Sequence, residues 1–316
     1  MREVEYGVPA ASLTSMGVGG TVDRLYRPAT AGDALKFLDL AVSEGAVPRF
    51  LGAGTNLLVG DAGLRDPIVC TAAMHGCRIL SRGRVRAEAG VLLPRLIART
   101  AREGLSGLER LAGIPGTVGG ALFMNAGGGG AQIGDAVENV EVAIPGHGIQ
   151  ILERDQVRFD YRRTSLKGFL ILAATFRLSP EDPQVLRDRI RDVMERKRRT
   201  QPQKVRSAGC FFKNPGKVAA GLLIDRAGCK GMRVGGAMVS HVHGNFLINL
   251  GDATAGDVMG LATRVRDAVR EAFGVRLGME VKYWTSAARE AKRTEAAALE
   301  RTALVNAVRM RGAAVE

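Results

Sequence analysis

The chain has 316 residues, a length that predicts two or three folded units because a typical domain takes ~100–200 residues. Its content of 46% hydrophobic and 24% charged residues excludes a largely disordered protein. The 41 glycines follow no three-residue period, which excludes collagen and indicates loops in which the backbone itself makes the contacts. A formal net charge of +13 favours anionic ligands.

The four cysteines are too few for a disulfide framework in a chain of this length, and no two of them form a C-x-x-C pair. We therefore expect a reducing, cytoplasmic location. The first ten residues carry no apolar signal core. The longest apolar stretch, residues 169–176, is far shorter than the ~20 residues of a membrane helix. The sequence accordingly predicts a soluble protein without a membrane partner.

Three glycine-punctuated regions of mixed strand and helix precede a tail of different composition. We place these four units at residues 1–75, 76–182, 183–285 and 286–316. In the first region, apolar periodicity predicts a helix over residues 34–42. A strand over residues 47–51 then runs into a loop of small residues, which makes that loop a candidate ligand-binding element.

The second region begins with a strand pattern at residues 85–88 and a helix over residues 94–104. Pro94 lies in the first turn of that helix and Gly104 at its end, the positions that these residue types prefer. The richest glycine segment of the chain follows, and an apolar strand over residues 170–178 closes the region.

The third region opens with a charged helix over residues 183–200, which carries its apolar residues on one face and suits a connector. Helical patterns follow at residues 219–227 and 258–273, and a strand pattern at residues 275–283. The Ala-, Arg- and Glu-rich tail predicts an extra helix with little apolar face.

Two glycine loops, near residues 52–59 and 113–120, stand out. Glycine lacks a Cβ and adopts positive φ freely, so such loops can bring successive backbone N–H groups up to a phosphate. Neither loop has G-x-G-x-x-G spacing at the start of a helix, and no G-x-x-x-x-G-K-[ST] loop occurs. A tight turn explains either loop alone equally well, and only the coincidence of two favours a large phosphorylated ligand.

Single reactive side chains have an ordinary structural explanation beside the functional one. From composition alone, a buried small hydrophobe is roughly twice as good an explanation of Cys210 as a functional thiol. Glu280, within an apolar strand pattern, fits a solvated strand face, and Arg162 fits the general excess of arginine. His241 and His243 lack cysteine or carboxylate partners nearby in the sequence, so we predict no metal site.

Taken together, six motifs resemble one known family and occur in its order. They are L-G-A-G-T-N-L-L-V at residues 51–59, G-I-P-G-T-V-G-G at 113–120 with N-A-G at 125–127, Y-R at 161–162, G-C-F-F-K-N-P at 209–215, H-G-N-F at 243–246 and L-G-M-E-V at 277–281. The sequence is similar, over about residues 10–284, to the UDP-N-acetylenolpyruvoylglucosamine reductases, the MurB family. Only about fifty residues separate Arg162 from Cys210, which resembles the shorter, type II subclass.

The resemblance implies an α+β fold class: a two-subdomain FAD-binding fold of the vanillyl-alcohol-oxidase (PCMH) type, followed by a MurB-type C-terminal α+β substrate domain. It also implies an NADPH-dependent flavoenzyme of peptidoglycan precursor synthesis, which reduces the enolpyruvyl group of UDP-N-acetylglucosamine enolpyruvate to give UDP-N-acetylmuramate. The residues then expected to contact FAD are Gly52, Ala53, Gly54, Thr55, Asn56, Leu57, Gly113, Ile114, Pro115, Gly116, Val118, Gly119, Asn125 and Ala126.

By the same resemblance, Arg162 and Glu280 stabilise an enolate that forms on the substrate carboxylate, and Cys210 donates a proton. Glu280 needs a raised pKa to donate a hydrogen bond, which burial would provide. Cys210 replaces the family's usual serine, and a thiol of pKa ~8.5 stays mostly protonated at neutral pH unless Lys213 or Arg162 lowers that pKa. The residues expected to bind the UDP-sugar are Tyr161, Lys213, Asn214 and His243.

A second departure from the family pattern is Thr200, where the shorter subclass often has lysine. A contact to a nucleotide phosphate would then pass to the basic run at residues 196–199. We expect a monomer, and the tail has no family counterpart.

Three alternatives stay open. Another FAD-dependent oxidoreductase of the same fold, such as an alcohol oxidase, often attaches its flavin through a histidine, and neither glycine loop contains one. A nucleic-acid-binding protein would explain the net charge of +13, but aromatic content is only 5% and the arginines are dispersed, so we expect no nucleic-acid partner. A homologue that binds the substrate without reducing it has only Cys210 in its support.

Overall fold

The computed structural model describes residues 4–286. Its helices are α1 (Ala31–Ser43), α2 (Leu93–Arg102), α3 (Val118–Met124), α4 (Pro183–Thr200), α5 (Ala220–Arg226) and α6 (Ala255–Phe273). Its strands are β1 (Glu5–Pro9), β2 (Thr21–Tyr26), β3 (Arg49–Leu51), β4 (Leu57–Val59), β5 (Ile68–Cys70), β6 (Cys77–Ile79), β7 (Arg84–Glu88), β8 (Leu105–Ser106), β9 (Gly127–Gly128), β10 (Ala131–Gln132), β11 (Val137–Ile144), β12 (Gly148–Glu153), β13 (Phe159–Asp160), β14 (Arg163–Thr164), β15 (Leu170–Arg177), β16 (Ser179–Pro180), β17 (Arg206–Cys210), β18 (Arg233–Val234), β19 (Ala237–Val239), β20 (Phe246–Asn249) and β21 (Lys282–Trp284). Apart from Ser286, the predicted tail lies outside the described residues.

The first region forms a four-stranded sheet in the order β1-β2-β5-β3. Strands β2, β5 and β3 run parallel, so β3 delivers its glycine loop at the carboxyl edge of the sheet. Helix α1 is capped by Thr30, whose hydroxyl oxygen accepts a hydrogen bond from Asp33 N. The ring of Phe37 on α1 stacks on Tyr26 of β2 at 4.3 Å between centroids, which fixes the helix against this sheet.

The second region is an antiparallel sheet in the order β12-β11-β15-β7-β6. Strand β15 is buried at every residue except Arg177. One face of β15 packs against α1, and the other packs into the core that contains α2 and α3. Because both faces are covered, the strand needs an almost continuous apolar sequence. Leu170 and Leu172 belong to the α1 core, whereas Ile171 and Phe176 belong to the second. The central strand therefore holds the first two regions together.

The third region is a sheet in the order β17-β20-β19-β18, covered by α6. The apolar residues of α6 predicted at helical spacing are buried, except Phe273 at the end of the helix, which is 39% exposed. Met16, Val18 and Leu58 pack into the same core. The N-terminal region thus contributes side chains to the C-terminal core.

One predicted strand differs from the structure, and two other segments differ from their predictions in helix content or in burial. The strand predicted at residues 275–283 reduces to β21, because Leu277 and Val281 are buried in the C-terminal core while the backbone between them bonds to separate segments rather than to one ladder. The second glycine segment is half helix, since Thr117 caps α3 through its hydroxyl oxygen. The charged helix has the predicted bounds, but Val185 is 38% exposed and Leu186 is its one buried residue.

Strand β21 pairs in parallel with β4, joining Lys282 to Leu57 and Trp284 to Val59. The end of the third region is therefore hydrogen-bonded to the first glycine loop. Within residues 4–286, none of the helices is both long enough and apolar enough to cross a bilayer. The unit boundaries at residues 75, 182 and 285 stay predictions.

Candidate active site

A cavity of about 620 Å³ lies where the three regions meet, within the usual range for small-molecule sites, ~300–1,000 Å³. Its walls are the two glycine loops, the end of α4, the end of β17 and the segment that enters β21. Eleven of the fourteen residues predicted to contact FAD line it: Gly52, Ala53, Gly54, Thr55, Asn56, Leu57, Gly113, Ile114, Pro115, Gly116 and Ala126. Arg162, Cys210 and Glu280, the three predicted catalytic residues, line it as well.

The first glycine loop is packed so closely that it presents backbone to the cavity. Gly54 has a φ of +64°, and a Cβ there would lie 2.0 Å from the carbonyl oxygen of Leu13. A Cβ on Gly52 would lie 2.3 Å from the Thr117 hydroxyl of the second loop. No larger residue fits either position without moving the first loop or the segment packed against it. Glycine at these two positions therefore fixes the course of the loop along the cavity.

The second glycine loop is covered by α4. Gly113 has a φ of +72°, and the Lys197 side chain lies so close that a Cβ on this glycine would be 2.8 Å from its Cδ. The Lys197 ammonium donates a hydrogen bond to the Ala112 carbonyl at 2.7 Å. Helix α4 thereby fixes one edge of the loop and brings a cation to the cavity.

Arg162 lies in the two-residue turn between β13 and β14, with a φ of 54°. That left-handed conformation is costly for a side chain of this size, and such backbone strain is typical of functional sites. Its Nε donates to Glu280 Oε1 at 2.7 Å and its Nη2 donates to the Gly127 carbonyl at 2.9 Å. The turn and these two acceptors hold the guanidinium at the cavity wall.

Glu280 lies in the segment just before β21 and pairs with Arg162, which is far away in the sequence. Its backbone N–H donates to the Phe211 carbonyl at 2.9 Å, and its side chain is only 15% exposed. Burial raises the pKa of Glu280, while the charge and hydrogen bond of Arg162 act to lower that pKa. The alternative explanation of Glu280 as part of a solvated strand face does not hold, because this carboxyl group faces a partly buried arginine rather than water.

Cys210 ends β17, opposite Phe246 and after an irregularity in the strand pairing. Burial, and then the negative charge of Glu280, raise the pKa of its thiol to about 11. The charges of Arg162 and Lys197 act in the other direction. The thiol is therefore protonated at neutral pH and can serve as a proton donor.

Three residues predicted to contact FAD lie behind the cavity wall. Val118 and Gly119 are buried in the first turn of α3. Asn125, at the left-handed end of that helix, is 1% exposed, and its amide nitrogen donates to the Asp160 carbonyl at 3.0 Å. Asn125 thus supports the hairpin that carries Arg162.

The four residues predicted to bind the UDP-sugar also lie outside the cavity lining. The Tyr161 hydroxyl accepts a hydrogen bond from Asn214 N at 3.3 Å, and the His243 ring packs edge-on against Phe246, which does line the cavity. Lys213 is close enough to act on the pKa of Glu280. These contacts bring all four residues close to Arg162, Cys210 or Glu280 without placing them in the cavity lining.

Sequence analysis singled out neither Lys197 nor Asn245, although it considered the basic run at residues 196–199 for a phosphate contact. Lys197 was part of a basic run, and only its position on α4 singles it out. Burial, and then the charge of Arg196, lower the pKa of Lys197 to about 8. Asn245, which is 3% exposed, accepts a hydrogen bond from Phe212 N and is the hydrogen-bond partner that acts on the Cys210 pKa. Asn245 belongs to the H-G-N-F motif at residues 243–246, so the motif was the signal that could have identified it.

The fold and the two backbone-lined loops define a dinucleotide-binding protein of the FAD class, and residues 22–150 match the family model of a FAD binding domain. The loops fit that cofactor, because they line the cavity with glycine and other small residues and pack so closely that a Cβ on Gly52 or Gly54 would push the backbone out of place. Residues 201–284 match the C-terminal domain of UDP-N-acetylenolpyruvoylglucosamine reductase.

Two relatives carry that same name. The one from Geobacter metallireducens is 43% identical over 275 residues, covering 87% of this chain and 91% of the relative. The one from Moorella thermoacetica is 41% identical with the same coverage. The crystal structure of the enzyme (MurB) from Thermus caldophilus superposes with a TM-score of 0.78 at 37% identity, over 90% of this chain and all of that one.

The chain belongs to the UDP-N-acetylenolpyruvoylglucosamine reductase family. The resemblance inferred from the six motifs is confirmed, as are the predicted α+β fold class, with its FAD-binding domain and C-terminal domain, and the assignment as an oxidoreductase.

The packing of Gly54 gives a first prediction. Gly54→Ala should lower FAD affinity roughly tenfold or more, since overpacking costs ~1–3 kcal/mol and the positive φ adds to it. Gly45→Ala is the matched control, because Gly45 also has positive φ, +73°, but open space around its Cβ position. The measurement is FAD titration of the apoprotein by flavin fluorescence. Equal affinities in the two variants would contradict the assignment of the first loop to the cofactor.

Proposed function

We propose that this chain reduces the enolpyruvyl group of UDP-N-acetylglucosamine enolpyruvate to the lactyl ether of UDP-N-acetylmuramate, with FAD as cofactor and NADPH as reductant. One observation carries the proposal: Arg162, Glu280 and a protonated Cys210 converge on the cavity whose other wall is the pair of glycine loops. When bound, the flavin supplies the hydride that NADPH provides. Peptidoglycan precursor synthesis and a cytoplasmic location belong to the same proposal.

The chemistry divides between two carbons of the substrate. A hydride adds to the terminal vinyl carbon, the electron pair of the double bond moves toward the carboxylate as an enolate, and the inner carbon then takes a proton. Electrostatic stabilisation of the developing charge is the main task of such a site. Arg162 suits that task because its guanidinium is always charged and is fixed by two hydrogen bonds.

Glu280 has two parts in this scheme. As a carboxylate it orients Arg162 through the 2.7 Å hydrogen bond. When protonated it donates a hydrogen bond to the enolate, and the raised pKa of Glu280 acts in favour of this protonated form. Partial burial provides both properties, because it strengthens the pairing with Arg162 and disfavours the isolated charge.

Cys210 is the proton donor in this proposal. The S–H bond breaks as the inner carbon of the enolate takes the proton, and the sulfur keeps the electron pair as a thiolate. Arg162 and Lys197 stabilise that thiolate, which then recovers a proton from water. The replacement of the family's usual serine by cysteine is therefore compatible with catalysis, and a homologue that binds without reducing is not favoured.

Tyr161, Lys213, Asn214 and His243 are proposed to hold the UDP-sugar. They lie next to the catalytic residues rather than in the cavity lining, so this role rests on the family resemblance and on their proximity. A different flavoprotein activity on the same fold is not favoured either, because the relatives from Geobacter metallireducens and Moorella thermoacetica carry the reductase name.

Replacement of Cys210 separates the two halves of the reaction. Cys210→Ala should let NADPH bleach the flavin at the normal rate, but slow product formation by ~10²–10⁴-fold, the usual range for a general acid. Cys210→Ser should recover much of that loss. Sequential stopped-flow absorbance, with NADPH first and the enolpyruvyl substrate second, measures each step. Cys229→Ala, at a fully buried cysteine of the C-terminal core, is the control. Normal product formation in Cys210→Ala would return Cys210 to a packing role.

Lys197 gives a pH-dependent prediction. With a pKa of about 8, its amine is charged at neutral pH and loses that charge as the pH rises through about 8. The KM for the anionic substrate should therefore rise across that range in the wild type. Lys197→Met should show a KM raised roughly tenfold at neutral pH, worth ~1.4 kcal/mol, without the further rise.

Steady-state kinetics of the flavin-loaded protein measure this effect, with Lys36→Met as a control at an exposed lysine of α1. Parallel pH profiles for the wild type and Lys197→Met would remove Lys197 from substrate binding.

A further inference from the structure

Asn245, directly before β20, is a buried asparagine whose side chain bonds to the segment that carries Cys210. It is 3% exposed. Its Oδ1 accepts a hydrogen bond from Phe212 N at 2.9 Å, and its Nδ2 donates to the Phe212 carbonyl at 2.8 Å. One side-chain amide thus satisfies both polar backbone groups of a residue that is itself buried.

This amide continues the pairing of β17 at the point where the strand ends. Cys210 lies opposite Phe246 in the last pair between β17 and β20. Phe211 N then donates to the Asn245 carbonyl at 2.8 Å, and Phe212 bonds to the Asn245 side chain. The thiol-bearing residue and the two residues after it are therefore all held by Asn245 and Phe246.

The strand before Cys210 supports the thiol less well. The register between β17 and β20 shifts between Ser207 and Cys210. Gly209, next to the thiol, has a φ of +74° and open space around its Cβ position. Because the ladder is interrupted on that side, the position of Cys210 depends on the residues that follow it.

The Asn245 side chain also acts on the thiol itself. Burial, and then the negative charge of Glu280, raise the pKa of Cys210 to about 11, whereas a hydrogen bond with the Asn245 side chain acts to lower that pKa. A hydrogen bond lowers the pKa of a thiol when it favours the thiolate, so the Asn245 amide is a donor to the sulfur. When Cys210 gives up its proton, the electron pair of the S–H bond stays on sulfur, and this donor stabilises that charge.

A second buried asparagine of β20 provides a comparison. Asn249 is 7% exposed, and its Nδ2 donates to the Met16 carbonyl at 3.0 Å. It pairs with Arg206, at the opposite end of β17 from Cys210. Asn249 therefore matches Asn245 in residue type, burial and bonding to backbone, but lies away from the thiol.

We propose that Asn245 is a positioning residue for proton transfer: its amide holds the segment after Cys210 in register and donates to the sulfur, which directs the thiol to the inner carbon of the substrate and stabilises the thiolate that remains. This inference rests on the proposed function, because it needs Cys210 as the proton donor. The N–H of Asn245 that donates to His243 Nδ1 at 3.1 Å belongs to the backbone, so a side-chain substitution leaves that contact in place. Proton transfer is then the step that a substitution affects.

The test compares flavin-loaded Asn245→Ser and Asn249→Ser in sequential stopped-flow, with NADPH first and the enolpyruvyl substrate second. Asn245→Ser should keep the wild-type rate of flavin reduction and the wild-type KM for the substrate. Its product formation should slow roughly 10–100-fold, as expected for the loss of a hydrogen bond to a charged group. Asn245→Asp, which keeps the shape of the side chain but removes the amide donor, should show a similar loss, and Asn249→Ser should behave as the wild type does.

The same variants in a Cys210→Ala background separate positioning from a merely structural role. Without the thiol, Asn245→Ser should slow product formation further by less than about twofold, because the two residues act in one step. An equal slowing in both backgrounds would overturn the proposal, as would an equal loss in Asn249→Ser. Failure of both Asn245 variants to bind flavin, while Asn249→Ser loads normally, would assign Asn245 to folding and overturn it too.

The single variant Cys210→Ala distinguishes this inference from the proposed function. Slow product formation in Cys210→Ala together with a wild-type rate in Asn245→Ser would contradict the role of Asn245 alone. Normal product formation in Cys210→Ala would contradict the proton donor itself, and the inference with it.

Discussion

The ion pair between Arg162 and Glu280 is the contact on which the site depends, and it joins two distant parts of the chain. Arg162 comes from a hairpin of the second region, and Glu280 from the segment that enters β21. That segment bonds to Phe211 through Glu280 N and to Asn56 through Lys282 N. A single short stretch of backbone therefore sets the positions of the first glycine loop, the thiol-bearing strand and the arginine. Loss of register there would displace all three walls of the cavity.

The electrostatics of the cavity follow from partial burial of a few groups. Burial raises the pKa values of Cys210 and Glu280 and lowers that of Lys197, so each group is shifted toward its neutral form. Arg162 keeps its charge and opposes the first two shifts. The result is a site that has cationic groups for an anionic substrate and a thiol that keeps its proton at neutral pH.

The sequence predicted the elements whose signals are local. Helix α4 matched its predicted bounds because Asp182 and Pro183 mark its start and Gln201-Pro202 its end, and the two glycine loops were visible as composition. The strand predicted at residues 275–283 was wrong because its alternating apolar residues enter a core while its backbone bonds to Phe211 and Asn56, partners far away in the chain. Lys197 was not distinguishable from its basic neighbours, since only the packing of α4 across Gly113 selects it. The left-handed turn at Arg162 could not be predicted, because the position has neither glycine nor asparagine, the residues that usually mark such a turn. The hydrogen bonds of Arg162 to Glu280 and Gly127 form only in the folded chain.

In the proposed reaction, Arg162 is held by Glu280 and stabilises charge on the substrate during reduction. The most direct measurement is anaerobic single-turnover reoxidation of the reduced flavin by the enolpyruvyl substrate, with product counted by mass spectrometry, in the wild type and in Arg162→Lys. Lysine keeps the charge but loses the two-point hydrogen bonding to Glu280 and Gly127. We expect one UDP-N-acetylmuramate per flavin in the wild type, and reoxidation slowed ~10²–10³-fold in the variant with normal reduction by NADPH. Equal reoxidation rates in the two proteins, or a wild-type flavin that stays reduced, would contradict it.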